Sequence, residues 1–114
     1  MWKDEARLAD ILLGCQEASE YVKGVTYEEF LKDSKLQRAL CMVLEIIGEA
    51  ARAVSPECKA AHPQVPWGSI VGLRNRIVHE YFRLDLQIIW NIVQNDIPSL
   101  LAVVRPLVPA KEDT

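Results

Sequence analysis

Cysteine and histidine are both scarce in this chain, with three and two copies. Cys15, Cys41 and Cys58 are odd in number and widely spaced, and no C-x-x-C occurs. With so few histidines, that pattern argues against a zinc site. Cys15 and Cys41 fall in apolar helical patterns and read as reduced core thiols, which suits a cytoplasmic location. Also missing is any apolar run of the ~18–20 residues that a membrane span needs, or an apolar leader behind Lys3, Asp4, Glu5 and Arg7. Basic excess is missing too. At a net charge of −3, general polyanion binding is excluded, and any nucleic-acid contact must come from a local basic patch or an assembled cleft. There is no strand-like alternation, internal repeat or low-complexity segment.

What remains is an apolar, helical sequence. Its 114 residues, half of them apolar, suit one domain over 1–114 with a single core. Leu8, Ile11, Leu12, Cys15, Ala18 and Val22 recur at helical spacing, which predicts a first helix over about 2–22, closed by Gly24. Thr26 and Glu29 have the spacing of a capping box, and Asp33 or Ser34 suits the N-cap of a helix over about 35–54. That helix is apolar almost all round its middle, from Leu40 to Ile47, which makes it a central helix or a subunit interface. Gly48, Ala50, Ala51 and Ala53 would admit a neighbour closely. Ser55-Pro56 starts a short helix, and His62 to Pro66 ends it. A fourth helix runs from Trp67, with Ile77 and Val78 expected to face the core. A last one starts near Asp85, and Pro98 must kink or restart it. Residues 110–114 form a polar tail. The fold class is all-α, an antiparallel bundle of four to five helices.

The polar residues concentrate in Arg74-Asn75-Arg76-Ile77-Val78-His79-Glu80-Tyr81. Arginine grips phosphate with a rigid, permanently charged fork, and histidine moves protons near neutral pH. RNA cleavage without a metal needs a base for the 2′-OH, an acid for the leaving 5′-oxygen and a cation for the phosphorane charge. His79 can be base or acid, and Arg74 can hold the phosphate. Asn75 can orient substrate or imidazole, while Arg76 and Arg83 add positive potential. On a helix His79 shares a face with Asn75 and Arg76, but Arg74 lies about 140° round. Its long reach, a distorted helix end or a second subunit could bring it in. One histidine is scant for two proton transfers, and a dimer would supply two. The plainer alternative is a His79 that serves only the helix C-terminus. Glu45 and Glu49, four apart on the central helix, could meet arginines across an interface or face solvent.

The run from Pro66 to Phe82 closely resembles the HepT-like group of HEPN-domain proteins. Ile46-Ile47-Gly48-Glu49-Ala50-Ala51 resembles that family's central helix, and Asp85, Ile89-Trp90 and Asp96-Ile97-Pro98 its last one. The resemblance implies a homodimeric helical bundle in which two Arg-x4-His motifs meet in a cleft. It implies a metal-independent endoribonuclease, the toxin of a toxin–antitoxin pair, with RNA as substrate and no metal or cofactor. The implied antitoxin is a minimal nucleotidyltransferase able to transfer AMP to the tyrosine of Arg-x4-His-x-Tyr. Carried over, Arg74 and His79 are catalytic, Asn75 and Arg76 support substrate, and Tyr81 accepts AMP. The rival is a non-catalytic helical module that binds nucleotide or RNA, or docks the nucleotidyltransferase.

Overall fold

A computed structural model describes residues 2–109; the polar tail at 110–114 lies outside them. In chain order the elements are α1 (Trp2–Tyr21), α2 (Tyr27–Leu31), α3 (Ser34–Ala53), α4 (Pro56–Ala61), α5 (Trp67–Glu80), α6 (Leu86–Asn91) and α7 (Ile97–Val104). A π turn over Ile92–Asp96 joins α6 to α7 in one rod. Four long helical units therefore build the bundle, and α2 and α4 are connectors. The described residues contain no strand, and no helix among them is long and apolar enough to cross a membrane.

Local chemistry sets the boundaries. Gly24 takes φ +75°, the left-handed region that glycine enters without cost, and turns the chain out of α1. Thr26 Oγ1 accepts from the Glu29 N–H at 3.1 Å, and the Glu29 carboxylate accepts from the Thr26 N–H at 2.9 Å, a complete capping box. Asp33 caps α3 by accepting from Leu36 N at 3.0 Å.

Pro98 has no N–H to give and its ring would press on the carbonyl four residues back. The rod answers with the π turn, where Ile97 N–H donates to Ile92 O, and α7 begins with Pro98 in its first turn.

α3 is the central helix. One face meets α1 and another meets α5. Leu8, Ile11, Cys15 and Ala18 of α1 pack with Leu40, Val43, Leu44 and Ile47 of α3, while Ile97, Leu100 and Val104 of α7 complete the core. Gly14 lies so close to Ile47 that a side chain there would force the isoleucine aside. Trp90 stacks into the core beside Phe30, with ring centres 5.0 Å apart. Val78 departs from expectation. It is 41% exposed, because only Ile70 and Ile77 of α5 are fully covered and Val78 lies a further step round the helix.

One polar contact ties the chain start to the α3–α4 corner. The nearly buried Asp4 carboxylate accepts from Ser55 Oγ at 2.7 Å and from Ser55 N at 2.9 Å, while Ser55 Oγ caps α4 by accepting from Cys58 N. The Ser55 hydroxyl and then its N–H hold the Asp4 carboxyl below its ordinary range. A depressed carboxyl stabilises the fold above its unfolded value and stops doing so as pH falls through the folded one. Asp4→Asn should therefore lower Tm at neutral pH. The gap to wild type should close as pH drops below the usual carboxylate range, as followed by circular dichroism melts.

Candidate functional site

α5 carries the polar cluster. Its start is pinned by Trp67, whose indole N–H donates to His62 O at 3.0 Å. Ile70 and Ile77 bury one side against the bundle, leaving a polar side open. The regular helix stops at Glu80, and Tyr81–Arg83 form a single 3-10 turn. Asp85 then caps α6 through Gln87 N at 2.9 Å.

Arg74 leaves α5 toward α3. It can do so because residue 48 is glycine. A β-carbon there would collide with Arg74 Cβ and sit 3.1 Å from Ile70 O. The side chain is 21% exposed, and its Nε lies 2.9 Å from Glu49 Oε2. The buried Nε–H is not aimed at that oxygen and has no other acceptor, so the contact is an ion pair and not a directed hydrogen bond. Nη1 donates to Asn75 Oδ1 at 3.0 Å. Glu49 is half-exposed, in line with the solvent-facing alternative, and also meets an arginine of its own chain, which the sequence did not suggest.

His79 is exposed on the open side of α5. Among the described residues no hydrogen bond or ion pair joins it to Arg74. The helix between them is regular, so the separation of about 140° persists. Asn75 and Arg76 are exposed as well, and Arg76 Nε faces Glu80 at 4.0 Å. Tyr81 is half-buried, with Phe82 edge-on at 5.1 Å and the Arg38 guanidinium 5.5 Å above its ring.

Arg38 escaped the sequence reading. The available signal was that Arg38, Glu45 and Glu49 recur at helical spacing along one edge of an otherwise apolar helix.

Exposed apolar residues border this region. Met42 and Ile46, one turn apart on α3, lead to Glu49, while Val78 is one turn beyond Arg74 and Phe82 is 88% exposed. A cavity of about 860 Å³ between α5 and α7 includes Arg76 but not Arg74, His79 or Tyr81. Asn75, Arg76 and His79 are exposed, so that part of the cluster lies on an open surface.

The Ribonuclease HepT-like family model matches residues 11–107, which hold α3, α5 and the whole cluster. The chain belongs to the HepT-like ribonuclease family. It is 41% identical to a Caldanaerobacter subterraneus protein named "Putative RNase", over 88% of this chain and 89% of that one. A Methanocaldococcus jannaschii protein of the same description is 38% identical, over 84% of this chain and 88% of that one. The "Probable ribonuclease HepT" of Thermococcus cleftensis is 38% identical, over 82% and 84%. No solved structure matches at a significant level. The HepT-like assignment agrees with the all-α bundle and with the resemblance read from the α5 motif.

Gly48 should be the costly glycine of this HepT-like fold. Gly48→Ala is expected to lose about 1–3 kcal/mol in denaturant titration, the usual penalty of overpacking. Gly68→Ala meets nothing within 4 Å and should be neutral or gain up to about 1 kcal/mol from helix propensity. Equal effects would show that the α3–α5 approach is looser than described.

Proposed function

We propose that the chain is a metal-independent endoribonuclease whose cleft forms between two copies, each supplying Arg74 and His79. The observation that carries it is the division of the motif around α5. Arg74 is held against α3, and His79 faces outward with Asn75 and Arg76. A second copy across the open surface would set the imidazole of one chain against the guanidinium of the other, with Met42, Ile46, Val78 and Phe82 as apolar border. In the reaction one histidine takes the 2′-OH proton, and the 2′-oxygen attacks phosphorus. The 5′-oxygen leaves with a proton from the second histidine, producing a 2′,3′-cyclic phosphate. Arg74 stabilises the charge gathering on the phosphorane oxygens. Asn75 and Arg76 bind the flanking backbone.

In the cell this enzyme acts as the toxin of a toxin–antitoxin pair in the cytoplasm. Its antitoxin, a minimal nucleotidyltransferase, moves AMP from ATP to the Tyr81 oxygen and releases pyrophosphate. Tyr81 supports that role by its place two residues past His79, at the first position of the 3-10 turn. AMP there adds bulk and a negative charge where the RNA phosphate must sit, which blocks binding.

RNA incubated in EDTA should be cut to ends carrying 2′,3′-cyclic phosphate. His79→Ala should lower the rate by about 10²–10⁴-fold, the usual contribution of a general acid–base group. A purified His79→Ala protein that cuts at full rate would refute the mechanism. If Arg74→Ala and His79→Ala bind RNA as wild type does and none of the three cleaves, the non-catalytic binding module stands instead. With the nucleotidyltransferase and ATP present, mass spectrometry should find AMP adducts on the wild type and none on Tyr81→Phe. An unchanged adduct would place the acceptor elsewhere.

A further inference from the structure

We infer that Glu49 is a positioning residue for Arg74, holding the guanidinium so that its outer edge faces the scissile phosphate. It can have that role only if the chain is the ribonuclease proposed above. The guanidinium is gripped at two points. Glu49 Oε2 stands 2.9 Å from Nε, and Asn75 Oδ1 accepts from Nη1 at 3.0 Å. Among the described residues no hydrogen bond reaches Nη2, so that donor is available to a ligand. Phosphate suits it, because arginine binds oxyanions by its parallel donors.

Three features make positioning a better account than fold stability. Glu49 is half-exposed, and an ion pair of that kind contributes little to folding. Its other oxygen faces Arg52 Nη2 at 3.8 Å, so the carboxylate is itself oriented from the α3 side. The buried Arg74 Nε–H has no aligned acceptor, although a carboxylate oxygen is within reach. A buried donor left in this way needs a reason, and catalytic hydrogen bonds are often misaligned before substrate arrives. A small turn of the guanidinium onto a phosphate would bring Nε–H into line with Glu49.

The carboxylate also has a predictable cost. Its negative charge beside Arg74 weakens attraction for phosphate, so a residue kept for binding strength alone would not be acidic. Losing it should impair the reaction while binding holds or improves.

The test compares the full-length wild type with Glu49→Gln in cleavage kinetics, thermal melting and the ¹⁵N resonance of Arg74 Nε–H. The expected result for Glu49→Gln is a kcat lower by up to about 10²-fold, as a misplaced catalytic group gives, with KM unchanged or lower and Tm close to wild type. The Nε–H resonance should shift in the variant, because the carboxylate charge 2.9 Å from Nε is lost. A kcat equal to wild type would overturn the role, and so would an unaltered Nε–H signal. A variant whose kcat loss only follows a drop in Tm would overturn it as well, by making Glu49 a structural residue. A wild type that cleaves no RNA would bring down the ribonuclease function and this role together. A cleaving wild type with an equally fast variant would bring down this role alone.

Discussion

The close approach of α5 to α3 at Gly48 governs the rest of the molecule. Without a β-carbon at 48, the backbone of α3 accepts the Arg74 stem directly. That contact fixes the rotation of α5 about its axis, since Ile70 and Ile77 must then cover the core. Rotation in turn decides where the polar residues point. A helix that presents Arg74 to its neighbour presents His79 about 140° away, toward solvent. Helix periodicity keeps the two motif residues apart, and the packing at one glycine decides which of them faces the neighbouring helix, a division that favours the proposed two-copy site.

Magnitudes rank the contributions at this junction. The Glu49–Arg74 ion pair, half-exposed at its carboxylate, contributes about 0–1 kcal/mol after solvent screening, less than the ~1–3 kcal/mol of an overpacked helix contact. The glycine therefore holds the helices, and the carboxylate acts on the orientation of a charge already placed by packing. Gly14 against Ile47 is the counterpart on the other side of α3, so the central helix has a close neighbour on each flank. That arrangement explains a helix apolar round most of its middle in so small a chain.

Much of this was legible in the sequence because it is local. Thr26 with Glu29, Asp33, Ser55 with Pro56, and Gly24 mark helix ends by interactions spanning a few residues, and each mark falls where the structure has an end. Pro98 announced a break but not its form, because a kink, a restart and a π turn all remove the same clash; packing of the α6–α7 rod on the core selects among them. Val78 was misread because an apolar pair such as Ile77-Val78 suggests a shared face, whereas adjacent helical residues lie about 100° apart. The Glu49–Arg74 pair could not be read at all. Its partners are 25 positions apart, and only the docking of α5 on α3 joins them.

The same docking bears on how an acidic chain, at −3 overall, could hold RNA. Exposed charges more than about 8–10 Å away are largely screened at physiological salt, so the site feels its neighbours and little of the global balance. Arg38 lies above the Tyr81 ring, while Arg74 and Arg76 each face a glutamate, Glu49 and Glu80. In the proposed two-copy cleft the positive excess doubles while the acidic flanks stay paired. In the proposed reading, an AMP group on Tyr81 would be an anion close to Arg38. It would draw on the same local field that RNA needs, so one phosphodiester on a single phenol could silence a surface that the bulk charge of the chain leaves untouched.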